Sequence, residues 1–444
     1  MNKETQANTQ ASDFSIPRLA PALERGPRWL RDIRNRSRDV FNSAPVPRRG
    51  LHLWRYTDPA NFLIDRSRVQ DTDYGENFGA VEKIVQEHLR QGNLSGIATD
   101  LAGRKIDFFG IDDLIAQGVT ITRLSEAVEE HPELVERYLY QLVNSQTGKF
   151  EAMNSALWND GIFIYVPDGV TVTQPLHLLR ESGLGGSVQY PRLLVVVGKN
   201  AELTLIDEYG GGSTDRDQVS SNVNGAVEIF GLEDSRSRYV FLQRQASGMN
   251  SYLTHRARIE QGAQMLTVPL AFGGSIAKQN FGVTLNGRGA ESEMQGLLFG
   301  SGHQQGDNHT LHMHTSGDTH SSINFKVVLR DRARSAYTGL IRIEEDARTC
   351  EAYQENRNLL LNRDARAQTI PELEILNEDV RCSHGATIGP IDPLSVFYLQ
   401  SRGVGLADAV RMIVTGFVAS TLTSLPEDLR MRINDFVAQR LEQE

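Results

Sequence analysis

The feature that most constrains the fold is a long series of short strand-like segments, from Leu193 to about Ile375, with no helical pattern between them. Many of these segments follow the same kind of turn, in which polar residues or glycine precede an alanine that opens the next strand. The turns are Lys199-Asn200-Ala201, Asn224-Gly225-Ala226, Gln261-Gly262-Ala263, Arg288-Gly289-Ala290, Asp331-Arg332-Ala333, Glu345-Asp346-Ala347 and Arg363-Asp364-Ala365. Short strands with one repeated corner suit a parallel β-helix, in which each turn stacks on the last. The alanines are 14 to 43 residues apart, so an antiparallel sandwich stays open as the competing fold.

Helical patterns flank this strand series on both sides. Apolar residues recur at helical spacing from Pro17 to Phe41 and from Leu124 to Leu142. The strand character begins near Trp158. The sequence therefore predicts a mainly helical first third, with a disordered polar start before about residue 14.

The C-terminal segment predicts three amphipathic helices. In the first, Asp392 caps the helix and Pro393 takes its first position, while Leu394, Phe397 and Tyr398 are expected to face inward. The second follows helical spacing from Leu406 to Leu425. The third begins at a capping-box pattern formed by Ser424 and Glu427.

Composition excludes several classes of protein. The formal charge of -10 argues against a nucleic-acid binder, and the arginines from Arg25 to Arg38 are better explained as one solvated helix face. Two cysteines, Cys350 and Cys382, exclude a disulfide framework and fit a reducing compartment. No apolar run is long enough to span a membrane, and residues 1–15 lack the apolar core of a signal peptide. We expect a cytoplasmic protein.

The motifs of self-contained enzymes are missing. Neither Gly148-Lys149 nor Gly198-Lys199 is followed by serine or threonine, so there is no Walker sequence for nucleotide phosphates. The chain also lacks GxSxG, HExxH, CxxC and the dinucleotide-type GxGxxG. These absences argue against an NTPase, a zinc protease or an α/β-hydrolase.

A histidine-rich stretch is the first candidate for metal chemistry. It contains His303, His309, His312, His314 and His320. In a strand, His312 and His314 point to the same side and could form a pair of ligands. The alternative is that these are polar side chains at the faces and corners of stacked strands, and the lack of a full ligand set favours it.

A second candidate is the segment Arg381-Cys382-Ser383-His384-Gly385. In an extended strand, Cys382 and His384 lie on one face, about 6 to 7 Å apart. A thiolate and an imidazole suit iron or persulfide sulfur. Two ligands cannot close a cluster, so a partner chain would have to supply the others. The alternative is a buried structural cysteine beside a hydrogen-bonded histidine.

Several longer segments resemble the SufB/SufD family of the bacterial SUF iron–sulfur cluster assembly system. The similar segments span most of the chain, from about Trp29 to Phe436. They are residues 54–57 (WRYT), 150–154 (FEAMN), 160–167 (DGIFIYVP), 354–361 (QENRNLLL), 371–375 (PELEI), 380–389 (VRCSHGATIG), 397–399 (FYL) and 401–403 (SRG). Leu53 departs from the glutamate that the family often carries before the tryptophan.

The resemblance implies a mainly β fold, a right-handed parallel β-helix core flanked by helical domains. The expected boundaries are residues 1–155 for the N-terminal helical domain, 156–380 for the β-helix and 381–444 for a C-terminal helical domain that binds an ATPase. Ser383 and the two-cysteine count favour the SufD branch, because SufB carries a glutamate between the cysteine and the histidine and further cysteines. In SufB/SufD proteins the histidine matched by His384 faces a SufB cysteine where the nascent cluster forms.

The resemblance also implies the partners. They are a SufB paralogue and the ABC-type ATPase SufC, which would hydrolyse ATP in trans. The chain would act as a scaffold/assembly subunit and would not hold a cluster stably alone. It would share a transient iron–sulfur cluster with SufB through His384 and Cys382. When isolated, it would pair with a second copy of itself. The alternatives are a SufB-type scaffold and, more remotely, a β-helix polysaccharide lyase.

Overall fold

A computed structural model of the chain describes residues 15–442, apart from residues 17–19, 64–81, 84, 88–89, 91–92, 102–104, 184–185 and 213–220. Its central feature is a parallel β-solenoid, in which successive strands from residue 192 onward alternate between two ten-stranded sheets. Strands two apart in the sequence pair in parallel, as the strand Cys350–Leu360 does with His320–Leu329 and with Val380–Pro390. The expected parallel β-helix is confirmed, and the antiparallel sandwich is wrong. The expected disordered start lies outside the described residues.

The strands divide between sheet A and sheet B. Sheet A contains β1 (Gly96–Leu101), β2 (Lys105–Phe109), β5 (Leu176–Ser182), β8 (Glu202–Gly211), β10 (Arg236–Gln243), β12 (Gln264–Ala271), β14 (Glu291–Gly300), β16 (His320–Leu329), β18 (Cys350–Leu360) and β20 (Val380–Pro390). Sheet B contains β3 (Thr120–Arg123), β4 (Gly161–Val166), β6 (Val188–Gln189), β7 (Arg192–Val197), β9 (Ser221–Gly231), β11 (Met249–Ile259), β13 (Ile276–Leu285), β15 (Gln305–His314), β17 (Arg334–Ile343) and β19 (Arg366–Ile375).

The repeated corner has a physical basis in backbone geometry. Asn200, Gly262 and Gly289 adopt positive φ values of 55°, 65° and 72°, a region open to glycine and tolerated by asparagine. The alanine that follows each is fully buried and donates its amide three residues back. Only a small side chain fits where the chain turns into the next sheet. The corner predicted at Asn224-Gly225-Ala226 is wrong, because these residues lie inside β9.

The helices lie outside the solenoid. Those whose bounds are described are α1 (Arg28–Ser43), α2 (Asp112–Ala116), α3 (Leu124–Glu130), α4 (Pro132–Tyr138), α5 (Lys149–Leu157), α6 (Pro393–Ser401), α7 (Leu406–Leu422) and α8 (Glu427–Glu442), with short 3-10 helices at Pro21–Glu24, His52–Trp54 and Pro59–Phe62. The single helix predicted over residues 124–142 is two helices, because Pro132 has no amide hydrogen to continue α3.

The arginine-rich helix α1 packs against α5 through a buried guanidinium. Arg34 donates to the carbonyl oxygen of Trp158 at 2.8 Å, and its guanidinium lies 4.0 Å from the centre of the Trp158 ring. Burial lowers the pKa of Arg34 to about 10. At least this arginine is structural and is not part of a solvated helix face.

Helices α7 and α8 cover the outer face of sheet A. Their apolar residues pack on the sheet. The buried members include Val240, Val268, Leu297 and Val328 from the sheet with Val414, Val418, Leu422, Leu429, Ile433 and Val437 from the helices. Polar contacts also hold the pair. Arg432 of α8 lies 3.1 Å from the buried carboxylate of Glu208, and Arg440 donates to the carbonyl oxygen of Phe272 at 2.6 Å.

Helix α6 differs from its two neighbours. Asp392 caps it through the amides of Leu394 and Ser395, as predicted. The expected inward face is wrong, because Leu394, Phe397 and Tyr398 are 75%, 68% and 58% exposed and the helix buries no residue. The boundary expected at residue 381 falls inside β20, because paired strands continue to Pro390 and α6 begins at Pro393.

The open end of the solenoid as a candidate functional site

The solenoid ends at β19 and β20 with both sheet edges open. Each of these strands pairs with one neighbour among the described residues, β17 for β19 and β18 for β20. Ile375, Leu376 and Ile388 on or beside these strands are 38%, 49% and 45% exposed. Open edges with exposed apolar side chains are places where another chain can pair.

Cys382 and His384 lie on β20, on this open end. In the parallel register, Cys382 pairs with Ala352 and His384 with Gln354 of β18. Because side chains two apart in a strand share a face, both point toward the axis of the solenoid. Cys382 is half-buried and packs against the core, whereas His384 is exposed. The structure therefore brings the two candidate ligands together on one strand face.

The Cys382 thiol is held in its protonated form. Burial raises its pKa above the ordinary value, and the nearby Cys350 adds to the rise. Both cysteines are free. A metal ion or a base at the open end would be needed to generate the thiolate, which is the form that binds iron.

Cys350 lies on the next strand inward and is fully buried. Its sulfur is 3.1 Å from the hydroxyl oxygen of Thr319, which is 2.7 Å from Nδ1 of His314. Burial lowers the pKa of His314 to about 4, so the ring is neutral near neutral pH. These contacts satisfy the hydrogen-bonding capacity of the buried Cys350 thiol and suit a structural role for this residue.

Gln354 belongs to the site although we singled out no function for it from the sequence. Its buried side chain crosses the interior from sheet A, and its Nε2 donates to the carbonyl oxygens of Gly339 at 3.1 Å and Glu372 at 3.3 Å. A Cβ at Gly339 would lie 2.5 Å from Oε1 of Gln354, so glycine is what admits this crossing. The amide thus joins the two sheets one strand below His384.

Two asparagines continue this polar layer along β18. Asn358 donates from its Nδ2 to Oδ1 of Asn356 at 2.6 Å and to the carbonyl oxygen of Thr387 at 3.0 Å. Asn356 donates to the carbonyl oxygen of Phe325 at 2.9 Å. The available sequence signal was the alternation of amides at positions 354, 356 and 358, which is unusual for a strand face that is buried.

The histidine-rich stretch is divided between two faces of the solenoid. His312 and His314 are buried on the same side, inside, where Nε2 of His312 contacts the Ser292 hydroxyl at 3.1 Å. His309 is buried on the outer face, where its Nε2 lies 2.8 Å from Oδ1 of Asp307. His303 and His320 are exposed. Within the described part of the chain, no group of three or more histidine, cysteine, aspartate or glutamate side chains could hold a metal ion.

A groove of about 1380 Å³ runs along the outer face of sheet A and ends at the site. It follows the first residues of the strands from Glu202 to Arg381 and reaches Cys382 and Ser383. Two ion pairs join neighbouring strands in the groove, Arg236 with Glu202 at 2.8 Å and Arg381 with Glu351 at 3.1 Å. The groove leaves the Cys382 strand accessible from the side as well as from the open end.

Comparison with known protein families accounts for nearly the whole chain. Residues 179–417 match the model described as "SUF system FeS cluster assembly, SufBD core domain", and residues 23–178 match the "SufBD protein N-terminal region". The chain belongs to the SufBD family. The core match begins within β5, contains the later strands through β20 together with α6, and therefore includes both Cys382 and His384.

Individual SufBD relatives align along almost their full lengths. An iron–sulfur cluster assembly SufBD family protein of Staphylococcus aureus (strain MRSA252) is 24% identical over 434 residues, which are 96% of this chain and 92% of the relative. Iron–sulfur cluster assembly protein SufB of Bacillus subtilis (strain 168) is 24% identical over 426 residues, 95% and 91% of the two chains. This SufBD chain is therefore related to iron–sulfur cluster assembly proteins across its length.

None of the helices in the described residues has the length and apolar character needed to cross a membrane.

Proposed function

We propose that this SufBD chain is a SufD-type assembly subunit, which pairs with a SufB-type scaffold at its open end and contributes Cys382 and His384 to a transient iron–sulfur cluster. The observation that carries the proposal is the position of these two side chains. They share one strand face on the last turn of a solenoid whose two sheet edges are open.

The small number of ligands favours a cluster shared between two chains. Iron–sulfur clusters are commonly held by four ligands, and this strand offers one thiol and one imidazole. A partner solenoid that pairs with β19 and β20 would bring its own side chains opposite them. The cluster is then cargo assembled between subunits, and the isolated chain holds none stably. The same open edges would let the isolated chain pair with a second copy.

Ser383 and the cysteine count favour the SufD branch over the SufB branch. The residue between Cys382 and His384 is serine, and the whole chain has two cysteines. Both are free, which suits the reducing conditions of the cytoplasm. We therefore expect the chain to act as the partner of the scaffold there.

ATP hydrolysis in this proposal comes from SufC. The chain has no Walker sequence of its own. Helix α6 presents Leu394, Phe397 and Tyr398 to solvent, an apolar face suited to a partner protein. SufC bound at α6 would act close to β20, since two residues separate β20 from α6.

The test is the variant His384→Ala in the complex with SufB and SufC. We expect unchanged assembly and melting temperature, because the side chain is exposed, together with loss of cluster formation. His320→Ala is the matched control, since His320 is also exposed and lies on sheet A. Full cluster yield in the His384→Ala complex would reject a ligand role, and a large fall in melting temperature would indicate a structural one.

A SufB-type scaffold is the second candidate, favoured by the full-length similarity to the Bacillus subtilis SufB protein. As a scaffold, the chain would accept sulfur on one of its own cysteines. Mass spectrometry of the protein after incubation with a cysteine desulfurase and cysteine distinguishes the SufB-type role from the SufD-type role. A persulfide on Cys382 or Cys350 would support the SufB-type role, and unmodified cysteines would support the SufD-type role.

A further inference from the structure

An N-terminal segment, residues 51–57, is fixed across the outer face of sheet B, and we name it the strap. Its backbone is held by side chains of the solenoid. Nζ of Lys278 on β13 donates to the carbonyl oxygen of Leu53 at 2.6 Å, and Nε2 of Gln305 on β15 donates to that of Tyr56 at 2.6 Å. The Thr57 hydroxyl donates to the carboxylate of Asp307 at 2.6 Å. The strap is therefore attached to partners more than 200 residues away in sequence, and two of them, Lys278 and Asp307, are buried.

Trp54 and a buried ion pair make this attachment rigid. The Trp54 ring stacks on Tyr252 with 5.6 Å between centres, and the Lys278 ammonium lies 4.9 Å from the Trp54 centre. Lys278 and Asp307 are 3.0 Å apart and almost completely buried. Releasing the strap would remove partners from both buried charges, which is costly.

The strap reaches the last strand of sheet B. Nε2 of His52 lies 3.4 Å from the carboxylate of Glu372 on β19, the strand with the open edge. On either side of His52, the side chains of Leu51 and Leu53 are 56% and 49% exposed. A segment held this firmly thus presents two apolar side chains to solvent beside the open end.

The last two turns of the solenoid carry further exposed apolar side chains. Tyr353, Ile375, Leu376 and Ile388 are the exposed apolar side chains on the last two turns of the solenoid. Together with Leu51 and Leu53 beside β19, exposed apolar side chains therefore occur both at the end of the solenoid and on its outer face. Exposed patches of this kind mark contact surfaces.

We propose that the strap forms part of the docking surface for a second β-solenoid, with Leu51 and Leu53 contacting it beside the β19 edge. The occupant must offer strand edges, because β19 and β20 display unpaired backbone donors and acceptors along the same end. This inference rests on the proposed function, and it names the SufB-type subunit as the solenoid that covers the strap.

The experiment measures the dissociation constant between the full-length chain and the SufB-type subunit of the same organism, by sedimentation velocity. The test variant is Leu51→Arg/Leu53→Arg. Ile115→Arg is the control, since Ile115 is 53% exposed on α2 in the N-terminal region. Ile388→Arg tests the open end itself. Melting temperatures verify that each variant folds, as expected for exposed positions.

Support for the proposal is an increase of at least tenfold in the dissociation constant for both the strap variant and Ile388→Arg, with Ile115→Arg unchanged. Wild-type affinity of the strap variant, with binding lost in Ile388→Arg, would overturn the strap contact and leave the proposed function standing. Wild-type affinity in both would overturn the open-end interface and the strap contact together. An effect of the strap variant alone would overturn the placement of the strap contact beside an open-end interface.

Discussion

Gln354 and His384 occupy matching positions on neighbouring parallel strands, with the buried carboxamide of Gln354 one strand further into the solenoid. His384 therefore stands above an amide that is bonded to two carbonyl oxygens of the opposite sheet. The exposed candidate ligand has a fixed polar layer beneath it. A ligand placed on such a support loses little freedom when it binds.

The first prediction concerns the stability of this polar layer. We expect Gln354→Leu to lower the free energy of unfolding by about 1–3 kcal/mol, because two buried carbonyl oxygens lose their donor and the two sheets lose a cross-link. Urea denaturation measures the change. Gln368→Leu is the control, since Gln368 is exposed on β19, and it should alter stability by less than about 0.5 kcal/mol. Equal effects of the two substitutions would contradict the role of Gln354.

The second prediction concerns the dependence of stability on pH. Burial lowers the pKa of His255 and His312 to about 3 and that of His314 to about 4. These rings stay neutral in the folded chain and bind protons in the unfolded chain below about pH 6.5. The stabilisation from keeping these rings neutral is therefore fully present above about pH 6.5. As the pH falls toward 4, each ring lowers the free energy of unfolding by up to about 1.4 kcal/mol per pH unit.

His255→Phe tests this pH dependence directly. His255 is fully buried and its ring lies 4.9 Å from that of Tyr239 and 5.3 Å from that of Phe281, so phenylalanine suits the site. The variant should lose stability less steeply than the wild type between pH 6.5 and 4, whereas the exposed-site control His303→Phe should keep the wild-type slope. Parallel stability curves for the wild type and His255→Phe would reject the prediction.

The third prediction concerns the partner of α6. Phe397→Asp should reduce binding of SufC at least tenfold with no change in melting temperature, because the ring is 68% exposed. Met431→Asp is the control on α8, at 51% exposure. A substitution is more informative than removal of the C-terminal helices, because truncation would uncover the apolar outer face of sheet A. Full SufC affinity in Phe397→Asp would remove α6 from the interface.

The fourth prediction concerns the isolated chain. Anaerobic reconstitution with iron and sulfide should give little of the visible absorption of an iron–sulfur cluster, because the strand face at the open end offers one thiol and one imidazole. Sedimentation under the same conditions reports whether two copies have paired. A tightly held cluster at one per monomeric chain would contradict a cluster shared between subunits.

The sequence was sufficient for the fold because the solenoid depends on local signals. The corners at Ala201, Ala263 and Ala290 could be read from short turns, since the backbone geometry there needs particular residue types. The false corner at Ala226 resulted from the same signal, because Asn224 and Gly225 also occur inside a buried strand. Local residue types are informative about corners but do not give the pairing register.

The site could be predicted only where its residues are close in sequence. Cys382 and His384 were found together because alternation along one strand places them on one face. Gln354 could not be assigned to them, since its position depends on the register between β18 and β20. The contacts of the strap could not be predicted from the sequence for the same reason, because Thr57 and Asp307 are 250 residues apart.

The apolar face of α6 was interpreted wrongly for a different reason. The spacing of Leu394, Phe397 and Tyr398 indicates an apolar helix face that can pack on another apolar surface. It does not indicate whether that surface belongs to the same chain or to a partner. In α7 and α8 the same kind of pattern is satisfied by sheet A. In α6 it is left exposed.

The short connections on either side of α6 have a mechanical consequence. Residues 391–392, which join it to β20, can extend by no more than about 7 Å. At its other end, residues 402–405 join it to α7, which is fastened to sheet A. A load applied to α6 is therefore divided between a firmly seated helix and a strand that is hydrogen-bonded along one edge only. Such a load is therefore transmitted directly to the strand that carries Cys382 and His384.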